Sequence, residues 1–378
     1  MSARHLAAAT ARTGPHKVVI AAGGTGGHMF PAGALAAELR ARAREVVLMT
    51  DARSLDLAAR LFAGQARHVL RGGGVAGRGA VRGAGALAAL ALGTWQARRL
   101  LGAMAADAVV GFGGYPSLPP VFAARGLRPR PALILHEQNA VLGRANRLLA
   151  RRADVLALSF ADTARVPAGV RVAVTGNPVR AGFAARAYHA PADGALRLLV
   201  LGGSLGARVF SDVVPAALAG LPEALRARLS VVQQCRAEDL ERVRAAYAQA
   251  GITASLASFF DDVATLFADC HLLISRAGAS SVAECAAVGR PAILVPLPGA
   301  IDDHQGANAA ALSAAGGGWM IRQPDFTPAA LAARIADLAA RPDLLADAAA
   351  AAARLARPGA AGALADLVEA TIAARGAP

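Results

Sequence analysis

Ala21-Ala22-Gly23-Gly24-Thr25-Gly26-Gly27-His28 closes a short apolar run over 18–22 and leads into a helical pattern. Three more turns of this kind follow: Val110-Gly111-Phe112-Gly113-Gly114-Tyr115, Leu201-Gly202-Gly203-Ser204-Leu205-Gly206 and Ser275-Arg276-Ala277-Gly278-Ala279-Ser280. Glycine at a strand-to-helix junction lets backbone N–H groups approach a ligand, and the helix that follows presents its positive end to an anion. Two such turns in each half of a 378-residue chain point to two nucleotide-fold halves on either side of a cleft. That arrangement suits a transferase, with one half for a phosphorylated donor and the other for an acceptor.

Outward from these turns, short apolar runs alternate with amphipathic segments, the signature of βα units and parallel sheets. The pattern predicts strands over 18–22, 46–50, 68–70, 108–111, 132–136, 155–158 and 172–174 in the first half. In the second half it predicts strands over 196–201, 230–233, 272–275, 292–295 and 319–321, with helices over 32–43, 145–151, 238–250, 281–288 and 328–340 among others. Gly176-Asn177-Pro178-Val179-Arg180 breaks the pattern. The expected division is a first Rossmann-like domain over 1–178, a second over 179–342, and a helical, Ala-rich tail over 343–378 that packs back on the first.

The net charge is +14, and Lys17 is the only lysine. Ala- and Arg-rich composition follows from GC-rich coding alone, but codon bias would make both halves basic. Up to Val179 there are 23 basic and 8 acidic residues, a net of +15; from Arg180 onward there are 17 and 18, a net of −1. The first half therefore faces a polyanion, either an anionic membrane or nucleic acid. Aromatic residues make up 4% of the chain and offer little for base stacking, which favours the membrane and leaves no nucleic-acid partner expected. The segment 75–101 concentrates the signal: Arg78, Arg82, Arg98 and Arg99 flank Leu87, Leu90, Leu92 and Trp95.

The uncharged stretch 83–97 falls short of the ~20 apolar residues of a spanning helix. The lead-in from Met1 to His16 has arginines and no acids but no apolar core for a signal peptide, so it reads as a short disordered segment or a transit peptide. Cys235, Cys270 and Cys285 form no paired framework and no metal spacing, as expected of reduced, buried thiols.

The first turn fits neither a dinucleotide fingerprint, since Met29 occupies the third glycine position, nor a Walker loop. What it offers is a run of small residues, a threonine hydroxyl and His28 at the carboxyl end of a strand, where ligands of open α/β sheets bind. His136-Glu137-Gln138-Asn139 places four polar side chains at the end of another strand, and Asn139 and Asn146 are candidate ligand contacts. In the second half Arg276 opens a turn whose helix carries Glu284. Main-chain N–H groups there can receive phosphates while the carboxylate takes a sugar diol. Asp302-Asp303-His304-Gln305 lies on the same rim. With no Asp-X-Asp triplet, neither a metal nor a cofactor is expected.

In this order, Gly24-Thr25-Gly26-Gly27-His28 with Phe30-Pro31, Gly113-Gly114-Tyr115, His136-Glu137-Gln138-Asn139, Gly176-Asn177-Pro178-Val179-Arg180, Gly202-Gly203-Ser204, Arg276-Ala277-Gly278-Ala279 with Glu284, and Asp303-His304-Gln305 with Asn308 resemble the MurG family of peptidoglycan N-acetylglucosaminyltransferases. The match runs from about Val18 to Ile321, and seven motifs in order make it specific. The resemblance implies an α/β fold of the GT-B glycosyltransferase type, with two Rossmann-like parallel-sheet domains facing a cleft. It implies an inverting, metal-independent transfer from the donor UDP-N-acetylglucosamine to undecaprenyl-pyrophosphoryl-N-acetylmuramyl pentapeptide (lipid I), giving lipid II, peripherally on the cytoplasmic face of the inner membrane. Cell-wall synthesis proteins are then natural partners.

Carried over by position, Thr25, Gly26 and Gly27 would meet the reacting sugar and phosphates, and Asn139 the sugar. Arg180 and Ser204 would lie along the nucleotide, and Phe260 would meet uracil through its backbone. Ala279, Ser280, Ser281, Val282, Ala283 and Glu284 would hold phosphate and ribose, and Gln305 the sugar hydroxyls. His304 stands where some members have glutamine, and Phe260 where an aliphatic residue is commoner. An inverting transfer needs a general base, for which His28 and Glu137 compete: imidazole has an ordinary pKa of ~6.5, and a carboxylate could serve equally. A UDP-sugar epimerase on the same fold and a non-catalytic basic adaptor are the rival readings. The first would not need the basic half, and the second would not need the polar rim.

Overall fold

The computed structural model describes residues 16–71, 80–191, 194–203 and 206–376. The lead-in before His16, Arg78 and Ser204 lie outside them. The first domain runs β1 (Lys17–Ala21), α1 (Gly26–Ala41), β2 (Glu45–Thr50), α2 (Leu55–Leu61), β3 (Ala66–Val69), α3 (Ala80–Met104) and β4 (Ala108–Gly111). It continues with α4 (Leu118–Arg125), β5 (Ala132–Glu137), α5 (Arg144–Leu149), β6 (Val155–Leu158) and β7 (Val172–Val174). The second runs β8 (Leu196–Leu201), α6 (Arg208–Ala219), α7 (Glu223–Arg226), β9 (Leu229–Gln234), α8 (Leu240–Gln249), β10 (Thr253–Ala257) and α9 (Val263–Asp269). There follow β11 (Leu272–Ser275), α10 (Ala279–Val288), β12 (Ala292–Leu294), α11 (His304–Ala314), β13 (Gly318–Met320), α12 (Pro328–Ala340), α13 (Pro342–Arg354) and α14 (Ala360–Gly376).

All strand pairs are parallel. The sheet orders are β3-β2-β1-β4-β5-β6-β7 and β10-β9-β8-β11-β12-β13, the same winding twice. Strands β1, β4, β5, β6 and β11 are almost wholly buried apolar runs, because helices cover both faces of each sheet. The order reverses beside β1 in one sheet and beside β8 in the other, and these are the places where the four glycine turns emerge. The sequence pattern misses β10, an edge strand of small and partly exposed residues (Thr-Ala-Ser-Leu-Ala) that has no apolar run to betray it. It also starts α1 too late: Pro31 resembles a first-turn proline, whereas the helix begins at Gly26 and carries His28 in its first turn.

Of the tail, α13 stays with the second domain beside α10 and β13. Helix α14 crosses to the first, where Leu364, Ala365 and Val368 join Val18, Leu35 and Ile134 in one buried cluster. Ion pairs fasten it: Arg42 to Asp366 at 2.5 Å, Arg44 to Glu369 at 2.8 Å, and Arg375 to Asp154 at 2.6 Å.

Other contacts cross between the domains. Asn308 of α11, with no exposed surface, accepts from the Ala140 N–H at 2.8 Å and donates to Asn139 Oδ1 at 3.1 Å and the Ala277 carbonyl at 3.0 Å. Asp302 pairs with Arg147 and, at 2.6 Å, with Arg165 of the first domain. Arg60 of α2 lies over the Phe259 ring at 5.8 Å.

Candidate active site

The first-domain side of the cleft is built on the turn between β1 and α1. Gly23 has no room for a side chain, since a Cβ would lie 2.9 Å from Pro116 and 3.0 Å from the Thr50 hydroxyl. Gly24 takes φ +87°, and its N–H donates to Ser54 Oγ at 2.7 Å. Thr25 caps α1 in extended conformation without a side-chain hydrogen bond; the residue is exposed, and while the His28 N–H donates to the Thr25 carbonyl at 3.1 Å, the N–H groups of Gly26 and Gly27 stand at the open start of α1. Gly26 lies against the Phe30 ring, 2.7 Å from where a Cβ would be.

His28, half-buried, stands in that first turn with its ring edge against Gly113 and Gly114, whose φ values are +82° and +68°. Its Nδ1 lies 2.8 Å from Gln138 Oε1. Gln138 Nε2 lies 2.9 Å from His136 Nδ1, and His136 Nε2 lies 3.0 Å from the Gly176 carbonyl. His136 is wholly buried, and that burial lowers its pKa to about 4, so its ring is neutral.

Glu137 is buried, and its oxygens are engaged. Oε1 accepts from the Asn139 N–H at 3.1 Å and Nδ2 at 3.0 Å, while Oε2 accepts from the Gly143 N–H and Asn146 Nδ2, both at 2.9 Å. In this structure the carboxylate braces the loop that carries Asn139. Asn146, one of the candidate contacts, is likewise taken up in this bracing.

On the second-domain side, Gly202 is forced by space: a Cβ would sit 2.2 Å from the Ala207 nitrogen. Helix α10 is capped by Gly278, which has no side chain to satisfy it, leaving the first-turn N–H groups of Ala279, Ser280 and Ser281 directed at the cleft, and the buried Ser280 hydroxyl has no partner. Val282 and Ala283 continue that turn to Glu284, which is 5% exposed and paired with Arg180 Nη2 at 2.8 Å. The Arg180 guanidinium lies 4.3 Å from the Phe30 ring centroid and 4.9 Å from that of Phe183, which joins α1 to α10 across the cleft. Gln305 accepts from the Leu297 N–H at 3.0 Å, and His304 Nδ1 donates to the Ile301 carbonyl at 2.8 Å. Phe260 lies half-buried in the loop after β10, beside exposed Phe259.

The structure thus brings Thr25, Gly26, Gly27, His28, Asn139, Arg180, Ala279 to Glu284 and Gln305 to the facing rims of the two sheets. Arg276, which opens the α10 turn, is turned away to brace β12: it donates to the Val295 and Pro296 carbonyls at 3.1 and 3.2 Å and to Gln323 at 2.7 Å. Sequence reasoning did not single out Gln138, Asn308 or Asp302 as joining groups. A buried glutamine at the end of an apolar strand was the available signal for the first; the other two act across the domain boundary. Among the described residues, no His, Cys, Asp and Glu side chains gather in a way that could hold a metal ion.

Models of the glycosyltransferase family 28 N-terminal domain and C-terminal domain match residues 18–157 and 197–363. A Granulibacter bethesdensis protein named UDP-N-acetylglucosamine–N-acetylmuramyl-(pentapeptide) pyrophosphoryl-undecaprenol N-acetylglucosamine transferase is 63% identical over 365 residues, covering 96% of this chain and 95% of its own. The Gluconobacter oxydans protein of the same name is 53% identical, covering 94% and 98%. The crystal structure of Acinetobacter baumannii MurG superposes with TM-score 0.77 at 32% identity over 94% of this chain and all of that one. The calicheamicin glycosyltransferase CalG4, at 16% identity and TM-score 0.64 over 96% of this chain and 100% of its own, shares the fold.

Burial pushes the Glu284 carboxyl up from 4.5 to about 7, with Arg180 acting against it. The folded protein therefore holds a proton that the unfolded chain has lost between those values. The stability this contributes at low pH disappears as pH rises through about 7. Glu284→Gln does not titrate. Relative to wild type it should gain stability between about pH 5 and about pH 8, by at most on the order of 3 kcal/mol. Thermal melts of both proteins across that range measure it, and a difference independent of pH would mean that the carboxyl titrates normally.

Proposed function

The chain belongs to glycosyltransferase family 28, and from that premise we infer that it moves N-acetylglucosamine from UDP-N-acetylglucosamine to lipid I, making lipid II for peptidoglycan. The observation that carries this reading is the 63% identity over 96% of the chain to a transferase named for that reaction. Two sheets that direct four glycine turns into one cleft are consistent with it.

In the proposed arrangement the donor lies against the second domain. Its diphosphate meets the open N-terminus of α10 at Ala279, Ser280 and Ser281, its ribose diol meets Glu284, and its sugar reaches Gln305 and Asn139. The Phe260 backbone serves the uracil. Thr25, Gly26 and Gly27 line the opposite wall. His28 Nε2 takes the proton of the acceptor hydroxyl as that oxygen attacks the anomeric carbon. The bond to UDP breaks with its electron pair leaving on the diphosphate, where the N–H groups of α10 receive the charge. The role of base falls to His28 because the Glu137 oxygens are occupied as a loop brace.

UDP release from UDP-N-acetylglucosamine should depend on a lipid I analogue; release without acceptor would favour an epimerase-type or hydrolytic enzyme. His28→Ala should cut acceptor-dependent turnover by ~10²–10⁴-fold while UDP affinity by calorimetry stays near wild type. Turnover within a few fold of wild type would remove His28 from the chemistry.

The first domain is proposed to sit peripherally on the anionic inner leaflet, on the cytoplasmic side. Helix α3 exposes Leu87 (69%), Trp95 (53%) and Leu92 (37%), and Arg99 lies over the Trp95 ring at 5.1 Å. No helix of the described residues is long and apolar enough to cross a membrane. Basic residues beside an anionic leaflet contribute ~1 kcal/mol each, and apolar side chains add to this. Sedimentation with phosphatidylglycerol vesicles should weaken with salt, with neutral lipid and in a Leu87→Ser, Trp95→Ser variant. Binding indifferent to all three would place the membrane contact elsewhere or nowhere.

A further inference from the structure

We propose that Gln138 and His136 are positioning residues that hold the His28 imidazole with its proton on Nδ1 and its lone pair on Nε2. The proposal rests on the reading of His28 as the base and adds how the fold prepares that base.

The direction of the chain is set at its far end. His136 Nε2 lies 3.0 Å from the Gly176 carbonyl oxygen, and a carbonyl only accepts, so Nε2 carries the proton. Because this buried ring is neutral, its Nδ1 bears a lone pair. Gln138 Nε2 is 2.9 Å from that lone pair and 3.0 Å from the His136 carbonyl oxygen. Two acceptors on one side can be met only by the NH2 of the carboxamide. The Gln138 oxygen is thereby turned to His28 Nδ1 at 2.8 Å, and Nδ1 must donate to it. A neutral imidazole protonated at Nδ1 keeps its lone pair on Nε2.

That nitrogen lies on the edge of the ring facing Gly114, where a Cβ would stand 3.4 Å away. Gly113 and Gly114 take positive φ and put no side chain over it. The anchoring carbonyl is itself fixed: Gly176 has φ +83°, and a Cβ there would meet Arg357 at 2.5 Å and Ala360 at 3.2 Å. The segment between the domains thus sets the tautomer of a ring at the cleft through two buried side chains. A glutamine that merely filled space would need neither this orientation nor this order of donors and acceptors.

Nitrogen NMR of the full chain labelled with 15N-histidine, with His28→Ala to assign the resonances, reads the tautomer directly. Wild type should show a protonated Nδ1 and an unprotonated Nε2 for His28. Gln138→Leu should populate both tautomers and lower kcat ~10–100-fold, with the donor KM and UDP affinity nearly unchanged. A wild-type Nε2–H resonance, or a folded Gln138→Leu enzyme with unchanged kcat, would overturn the positioning role while leaving any loss in His28→Ala intact. Full turnover in His28→Ala would instead overturn the base assignment, whatever the wild-type nitrogen spectrum shows.

Discussion

A parallel sheet wound outward from its middle cannot send two neighbouring crossovers to the same face. Right-handed connections carry α1 to one side of the first sheet, where it packs in the cluster with α14, and α4 to the other. The loops after β1 and β4 therefore part at their carboxyl ends and leave a crevice between them. The second sheet repeats the constraint, with α6 on one face and α10 on the other. The four glycine turns are the four loops that flank these two reversals. His28 in the first turn of α1 and the uncapped start of α10 owe their place to it, and the amide of Asn308, from the next crossover along, bonds across to the first domain at Ala140 and Asn139.

In the proposed arrangement the site receives negative charge through backbone rather than side chains. Two arginines beside the turn that opens α10 are already engaged: Arg276 by three oxygens at the end of β12, and Arg180 by Glu284 between two aromatic rings. On α10 the first-turn N–H donors are left open, and the buried Ser280 hydroxyl beside them has no partner. Fixed amides of this kind need no reorganisation when charge develops on a leaving diphosphate, whereas a mobile cation would have to be ordered. Glu284 fits the same scheme. Its burial raises the cost of its charge, and a partner that offers hydroxyl donors lowers it.

The parts of this fold legible in sequence are those that a local pattern determines. Fully buried strands such as β4 and β11 appear as apolar runs, and the glycines at 23, 113 and 202 mark places where backbone must bend or a side chain has no room. Edge strand β10 was not legible, because half-exposed small residues carry no period. The division of labour within His136-Glu137-Gln138-Asn139 was legible only as a polar cluster. Glu137 turns inward to brace a loop and Gln138 bridges two histidines, and which does which depends on neighbours at 28, 143, 146 and 176. Asn308 and Asp302 act on the other domain, and no local signal encodes that.

The charge asymmetry shows the same limit and narrows the proposed membrane face. Cutting the chain at Val179 assigns fifteen net positive charges to the first half, yet several of those arginines are answered by acids from the second. Arg42 and Arg44 pair with Asp366 and Glu369 of α14, and Arg147 and Arg165 pair with Asp302. Three acids of the second half, Asp366, Glu369 and Asp302, thus answer a minor share of the excess and fasten the second half to the first. Arg98, Arg99, Arg125 and Arg128, by contrast, are exposed on or beside the packed pair α3 and α4, and α3 also exposes Leu87, Leu92 and Trp95. At ~1 kcal/mol per arginine plus a few apolar side chains, such a patch supports reversible attachment and no insertion. Reversible attachment suits an enzyme whose donor diffuses in water while its acceptor stays in the membrane: a surface held too tightly would slow its encounter with the next lipid.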